Sequence, residues 1–232
     1  MSIEKKEIIE IEIIARIETD FHSKFGIPRQ SGLVDNLEGR IVFEPAYRNE
    51  AAVKGIENYS HLWLIWQFSE NVDKGWSPTV RPPRLGGNTR MGVFATRSPF
   101  RPNHLGLSSV KLERVEMDEK LGPVLYVKGA DLMNGTPIVD IKPYIPYGDS
   151  HPEATSGVFE VEKVRLLVDI PEGLVDRIPP DKREALKDVL AEDPRPSYQK
   201  DPHRIYGLSF AGKDIRFRVE ENHLTVMEVE DL

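Results

Sequence analysis

The sequence predicts a mainly β protein, either a barrel or a sandwich, with a small α/β appendage at its C-terminal end. Seventeen glycines and eighteen prolines are spread through the 232 residues, and short β-type segments lie between them. One convincing amphipathic helix appears, late in the chain. Short strands that follow one another without intervening helices favour a barrel or a sandwich over a βαβ sheet.

The strands are predicted from alternation and from the residues that bound them. Residues 9–13 read IEIEI, the period-two pattern of a half-exposed strand. Six further segments, each bounded by Gly, Pro or Asn, are predicted strands: 41–43, 61–68, 90–96, 107–115, 121–127 and 156–168. In segment 61–68 we expect Trp63 and Trp66 to be core residues and His61 to be structural.

The predicted helix begins near Asp181, with Glu184 in capping-box spacing, and Pro194 ends it. Its apolar side is Leu186, Val189 and Leu190. Strands are predicted to follow at 204–210, 215–219 and 224–229, the last two joined by a tight turn at 221–222. We therefore expect two domains, a β-rich body at 1–170 and an appendage at 171–232. The appendage has too little core to be stable alone, so it should pack on the body or on a second subunit.

Composition excludes several classes of protein. The formal net charge is −7 and there is no cysteine, which removes disulfides, thiolate nucleophiles, zinc fingers and iron–sulfur clusters. The longest apolar run, 62–66, is too short for a membrane span, and the acids in MSIEKKEIIE are unlike a signal peptide. A cytoplasmic protein is expected. Phosphate-loop, GxGxxG and GxSxG motifs are missing, and the six scattered histidines predict no metal site.

Charge is distributed unevenly along the chain. Residues 74–112 contain no acid and seven cations, which leaves 24 basic against 38 acidic residues elsewhere. A cationic face on an acidic body suits a polyanion such as RNA, although the arginines of a Gly/Pro-rich loop could also be structural. The seven cations are Lys74, Arg81, Arg84, Arg90, Arg97, Arg101 and Lys111. We expect Arg81, Arg84 and Arg101 to contact phosphate.

Four dense clusters remain, and they carry a family resemblance. The strings PRQSGL, IENYSHLWLIWQF, SPTVRPPRLGGN, RMGVFATRSPFRPN, DLMNGTPIVDIKPYIPYGDS and DPRPSY closely resemble the TsaA/YaeB-like family over nearly the whole chain. Characterised bacterial members of that family are S-adenosylmethionine-dependent tRNA methyltransferases. The resemblance implies an antiparallel β-barrel and a homodimer. It also implies methylation of the exocyclic amino nitrogen of N6-threonylcarbamoyladenosine, next to the anticodon of tRNA.

The resemblance also implies the residues that contact the cofactor. They are Gln30, Ser31 and Gly32 in PRQSG; Phe68 and Ser69; Arg97; Leu107; and Asp131, Leu132, Met133 and Asn134 in DLMN. This chain departs from the family at Ser69, where His is common. It also has residues 103–106, NHLG, where an NPIG-like string is common, and the lost proline frees a φ angle in that turn.

The catalytic and tRNA-binding residues are less determined. Asp140 is a weak candidate for accepting the proton of the target amine, and it could instead brace an arginine. Arg195 and Tyr198 lie on a proline-stiffened loop that could hold a splayed nucleotide, or Tyr198 could simply pack the appendage onto the barrel. A non-catalytic RNA-binding module and a nucleotide-binding barrel remain alternatives. Titration with S-adenosylmethionine and with RNA separates the three.

Overall fold

The computed structural model describes residues 7–82, 89–160, 165–196 and 201–232, and these residues form a mainly β protein. The strands are β1 Ala15–Thr19, β2 Glu38–Phe43, β3 His61–Gln67, β4 Thr79–Val80, β5 Met91–Gly92, β6 Leu105–Asp118, β7 Gly122–Lys128, β8 Thr136–Pro143, β9 Leu167–Asp169, β10 Tyr206–Phe210, β11 Lys213–Glu220 and β12 His223–Asp231. The helices are α1 Glu50–Val53, α2 Pro146–Asp149, α3 Glu172–Val175 and α4 Arg183–Ala191. No helix in the described ranges is long and apolar enough to cross a membrane.

Six strands close into an antiparallel barrel in the order β1-β2-β7-β6-β3-β8. Alternate residues point inward, as the pleat of a strand requires. On β3, Leu62, Leu64 and Trp66 are buried, whereas His61 is exposed. Trp63 is only partly buried, because it lies on the outer face of β3 with its ring 5.4 Å from that of Tyr144. The prediction of a core position is therefore confirmed for Trp66 and wrong for Trp63.

Strands β4 and β5 pair with each other in a two-stranded sheet, and the other four strands form the second sheet, in the order β10-β11-β12-β9, in which β9 runs parallel to β12. Helix α4 covers this sheet, and its Leu186, Val189 and Leu190 are buried as predicted. The same apolar core includes Phe21, Val34 and Leu37, which lie between β1 and β2. The appendage thus packs on the barrel through residues 20–37, which we call the β1–β2 loop.

Close backbone packing fixes the β1–β2 loop against the second sheet. Gly26 has a φ of +88°, and a Cβ built there would lie 2.1 Å from Cδ1 of Leu208, so a larger residue would have to displace the buried Leu208 side chain. Asp20 forms an ion pair of 2.8 Å with Lys182, and its carbonyl accepts a hydrogen bond from the Ala211 N–H. The loop that carries PRQSG is therefore held from the side of the appendage.

Two of the predicted strands are wrong. Residues 9–13 form no strand, because the first strand that pairs with β2 and β8 starts at Ala15. Segment 156–168 contains the 3-10 turn Gly157–Phe159 and only the short β9 at its end, while residues 161–164 lie outside the described part. In residues 9–13 the alternating pattern is present without a neighbouring strand, and alternation alone does not supply one.

Smaller differences concern how two elements begin or end. Segment 90–96 forms β5 and then the 3-10 turn Val93–Ala95, instead of one strand. Helix α4 is preceded by the 3-10 turn Pro180–Lys182, and its N-cap Lys182 makes no side-chain cap. The predicted capping box is therefore wrong, although the helix itself is confirmed. Its end comes three residues before Pro194, with Asp193 at a φ of +52°.

Candidate functional site

The residues predicted to contact the cofactor come together at one end of the barrel. The Gly32 N–H donates to the carbonyl of Gly129 at 2.9 Å, which joins the β1–β2 loop to the segment between β7 and β8. The Arg97 guanidinium donates to the side-chain carbonyl of Gln30, so ATRSPF meets PRQSG as well. Three segments that are far apart in the sequence are thus joined by direct hydrogen bonds.

A buried hydrogen-bond chain supports this end of the barrel. The indole N–H of Trp66 donates to Oγ of Ser108 at 3.0 Å, and the Ser108 hydroxyl donates to Oδ1 of Asp131 at 2.6 Å. Gly106 makes room for the indole, because a Cβ at that position would lie 2.4 Å from the Trp66 ring. These two hydrogen bonds fix the orientation of the Asp131 carboxylate.

Asp131 has the electrostatic setting of a functional group. Burial raises its pKa above the ordinary value of 3.8, because the charged form loses solvation. Hydrogen bonds from Ser108 and from backbone N–H groups of Asp131 and Ser31 act in the opposite direction, as does the nearby Arg97 charge. Desolvation dominates, so this carboxylate holds a proton more readily than one in water.

Leu107 offers a backbone edge. Strand β6 pairs with β7 only from Lys111 onward, so residues 105–110 have no strand partner on that side within the described part of the chain. The Leu112 N–H and the His104 carbonyl both point toward the β3 side. Because alternate residues direct their N–H and C=O groups to opposite neighbours, Leu107 directs its own toward the open side. That edge can pair with a planar ligand.

Phe68 and Ser69 lie at the end of β3. The Phe68 N–H donates to the His104 carbonyl at 2.8 Å, and its ring lies edge-on to Trp66 with centroids 4.3 Å apart. Ser69 is exposed and opens the 3-10 turn Ser69–Lys74. His104 is buried at a φ of +50°, and its Nδ1 lies 2.8 Å from the Pro99 carbonyl. A side-chain contact thus holds the turn in which this chain departs from the family pattern.

The DLMN segment is anchored to the end of β1. Thr19 donates its hydroxyl to the Leu132 carbonyl at 3.0 Å, and its N–H donates to Oδ1 of Asn134 at 3.1 Å. The Met133 carbonyl accepts from the Thr136 hydroxyl at 2.7 Å. These contacts fix the backbone of the segment while Leu132 fills the core.

Asp140 lies apart from the hydrogen-bonded cluster. Its side chain is 48% exposed, accepts the Ile141 N–H and lies 3.8 Å from Nζ of Lys142. Nothing in the described residues links its carboxylate to Arg97 or Asp131. The position is that of a surface residue on the outer face of β8.

The residues predicted to contact tRNA have different surroundings. Arg81 is exposed directly after β4. Arg101 is partly buried and donates to the carbonyls of Thr96 and Ser98, so it braces the turn that follows Arg97. Arg195 pairs with Asp193 through two nitrogens, at 2.8 and 2.9 Å, and only 11% of its side chain is exposed. Arg84 and Tyr198 lie outside the described residues.

Sequence reasoning missed Ser108 and the role of His104. Ser108 is a polar residue at an inward-facing position of β6, with 1% exposure. A buried hydroxyl among apolar inward residues signals a hydrogen-bond partner nearby, and that signal was readable once β6 was predicted. The His104 contact could not be read from sequence because it closes a turn with left-handed backbone.

Comparison with known proteins agrees with this architecture along the whole chain. Residues 16–150 match the tRNA-methyltransferase O N-terminal domain, and residues 172–232 match the TrmO C-terminal domain. The chain is 38% identical over 237 residues to an Escherichia coli protein named tRNA (adenine(37)-N6)-methyltransferase, covering 95% of this chain and 97% of that protein.

A shorter relative and a solved structure add to this comparison. An Eikenella corrodens protein of the same name is 46% identical over 165 residues, which cover 71% of this chain and 93% of that protein. The crystal structure of TrmO from Pseudomonas aeruginosa has a TM-score of 0.79 and 29% identity, covering 97% of this chain and 99% of that one. The barrel, the appendage and the cluster around Asp131 thus occur in a chain that belongs to the tRNA-methyltransferase O family.

Proposed function

We propose that this protein transfers the methyl group of S-adenosylmethionine to the exocyclic amino nitrogen of N6-threonylcarbamoyladenosine, next to the anticodon of tRNA. The observation that carries the proposal is that PRQSG bonds both Arg97 and Gly129, two residues before the DLMN segment, at one end of the barrel. In a member of the tRNA-methyltransferase O family, such a convergence is best explained as the methyl-donor site.

The chemistry of these residues fits the cofactor. The backbone edge of Leu107 offers one donor and one acceptor side by side, which is what the Watson–Crick edge of adenine requires. Gln30 and Ser31 carry amide and hydroxyl groups suited to ribose hydroxyls, and the Arg97 guanidinium is suited to the cofactor carboxylate. Phe68, Ser69 and Gly32 border the same end of the barrel. Leu132, Met133 and Asn134 would contribute through backbone position.

The reaction calls for positioning and one proton transfer. When bound, S-adenosylmethionine supplies an electrophilic methyl group whose bond to sulfur breaks as the new bond to nitrogen forms. The accepting nitrogen is a weak nucleophile because its lone pair is delocalised, and it must lose a proton. We assign that proton to the Asp131 carboxylate, since Asp131 lies inside the cluster and its raised pKa suits a general base. Asp140 is exposed and remains the weaker candidate.

The assignment of the base is tested with two matched variants. Asp131→Asn keeps an acceptor for the Ser108 hydroxyl but removes the base, so kcat for methylation should fall about 100-fold or more. Cofactor affinity, measured by calorimetry, should change much less. Asp140→Asn should leave kcat close to that of the wild type. A large loss in Asp140→Asn with a small one in Asp131→Asn would reverse the assignment.

We further infer that residues 1–170 form the cofactor-binding domain and 171–232 a separate supporting domain, and that the enzyme acts in the cytoplasm as a homodimer. Arg81 is the described candidate for phosphate contact, and Arg84 and Tyr198 remain candidates from sequence. Light scattering of the purified protein tests the dimer.

The decisive experiment is mass spectrometry of tRNA nucleosides. tRNA from cells that lack this protein is incubated with the purified enzyme and S-adenosylmethionine. We expect N6-threonylcarbamoyladenosine to gain one methyl group on its N6 nitrogen. Arg97→Ala protein is the matched control, and tRNA without the threonylcarbamoyl group tests whether that group is required. An unchanged nucleoside profile would overturn the proposal.

A further inference from the structure

We propose that three exposed aromatic rings, Trp76, Phe94 and Phe100, form a surface on which unpaired bases of the tRNA anticodon loop stack. We call these three residues the aromatic surface. The inference rests on the proposed function, and it adds the residues that would receive nucleotides around the target.

All three rings are exposed to solvent. Trp76 is 55% exposed, Phe94 75% and Phe100 37%. None of the three stacks on another aromatic ring within the described part of the chain. Large apolar side chains left in water within one region mark an interaction surface more often than chance exposure.

Backbone hydrogen bonds join the stretches of chain that carry the three rings. The Ser77 N–H donates to the Phe100 carbonyl at 3.0 Å, which joins the backbone next to Trp76 to that of Phe100. The Val93 N–H donates to the Pro78 carbonyl at 3.0 Å, and β4 pairs with β5. Backbone bonds therefore bring residues from both ends of this segment together, although they lie more than 20 positions apart.

Charge decides which partner suits the surface. All three rings lie within residues 74–112, which contain no acid. The exposed cations of the same segment are Lys74, Arg81, Arg90 and Arg97. The rest of the chain is strongly acidic. Exposed rings interleaved with cations are the combination that binds unpaired nucleotides, because phosphates meet the cations and every base offers a π face.

The surface is tied to the methyl-donor site. The Phe100 N–H donates to the Ser98 hydroxyl at 3.3 Å, and Arg101 holds the carbonyls of Thr96 and Ser98. Arg97 lies within this turn and bonds Gln30. A base stacked on Phe100 would therefore be held at a fixed position relative to Arg97, which is what presentation of a neighbouring nucleotide requires.

The test replaces each ring and compares it with a matched control. Trp76→Ala, Phe94→Ala and Phe100→Ala are made in the full chain, and Phe159→Ala is the control because Phe159 is also a 37% exposed phenylalanine. Binding of threonylcarbamoylated tRNA is measured across a range of salt concentrations. We expect each of the three to bind about 5-fold or more weakly, with an unchanged salt slope because no charge is removed. Phe159→Ala should bind as the wild type does.

Two further readouts separate base stacking from a contact between subunits. Trp76→Phe, which keeps a π face, should recover most of the affinity lost in Trp76→Ala, and cofactor affinity should be the same in all variants. If instead the alanine variants change the subunit number by light scattering while tRNA affinity holds, the surface is a contact between copies of the chain and the inference is wrong. Unchanged affinity in all three also overturns it. A wild-type protein that binds no tRNA would refute the proposed function itself.

Discussion

Asp131 is a residue of the candidate site whose burial affects the stability of the folded protein. Its carboxylate is held among apolar barrel residues by Ser108 and, through Ser108, by Trp66. Because burial raises its pKa above 3.8, the folded protein binds this proton more tightly than the unfolded chain does. The stability that the proton contributes is fully present below about pH 3.8 and is lost as the pH rises through the folded-state pKa.

A stability prediction follows for Asp131→Asn. The variant has no carboxylate to desolvate, so its free energy of unfolding should rise relative to that of the wild type as the pH increases above 3.8. Urea denaturation at a series of pH values measures the difference. Asp140→Asn, which changes an exposed aspartate, is the matched control. A difference between Asp131→Asn and the wild type that is independent of pH would show that burial does not set this pKa.

Arg97 carries the second prediction at this scale. Arg97 bonds Gln30, and under the proposed function its guanidinium should contribute about 1.5–3 kcal/mol to cofactor binding as a charge-assisted contact. Calorimetry on Arg97→Ala should therefore show S-adenosylmethionine affinity reduced about 10-fold or more. Arg90→Ala removes an exposed arginine of the same acid-free segment and should bind normally. Equal affinities in the two variants would remove Arg97 from the site.

At the scale of elements, the sequence predicted the strands whose apolar segments are clearly bounded by Gly, Pro or Asn. β3, β6 and β7 were predicted within a few residues of their bounds. β8 was missed because Pro137 and Pro143 make it read as a turn region, although both prolines are tolerated in the closed barrel. β1 was missed because its alternation begins earlier than its pairing. The register of a strand depends on the strands that it pairs with, and a local sequence pattern does not identify those partners.

The same limit applies to the site. Motifs supplied Gln30, Arg97 and Asp131 through resemblance. In the structure Arg97 bonds Gln30, whereas Asp131 is held by Ser108. The supporting residues Ser108 and His104 were not predicted, because their roles depend on partners across the barrel and on one left-handed turn. The ion pair between Arg195 and Asp193 was not predicted either, because the argument for Arg195 considered only the neighbouring prolines.

The acid-free segment leads to a prediction for the β4–β5 region. If Arg81 contacts a phosphate, Arg81→Ala should weaken tRNA binding and lower the slope of log K against log salt by about 1, because one counterion fewer is released. Lys187→Ala removes an exposed cation from α4 and should leave the slope unchanged. Filter binding at several salt concentrations measures both. A slope that is unaltered in Arg81→Ala would assign Arg81 to folding.

For the whole molecule, the central feature is a core shared by two units. Phe21, Val34 and Leu37 of the β1–β2 loop belong to the apolar core of the second sheet, while Gln30 to Gly32 of the same loop face the barrel site. Shorter relatives such as the Eikenella corrodens protein align with only 71% of this chain. The second sheet therefore adds a second support to a loop that the barrel already holds through Gly129.

The contact between Gly26 and Leu208 has a consequence for how ligand binding spreads through the molecule. Any ligand that orders the β1–β2 loop must also disfavour local opening of the strand packed against Gly26, since the two share one interface. Saturating S-adenosylmethionine should therefore slow amide hydrogen exchange in β10, far from the bound methyl group. Gly26→Ala, whose Cβ would collide with the Leu208 side chain, should weaken that protection and, by reciprocity, cofactor affinity as well. Protection confined to the barrel strands would show that the two units respond independently. If β10 is protected as expected, amide hydrogen exchange in the C-terminal sheet reports whether the cofactor is bound, without any change at the site itself.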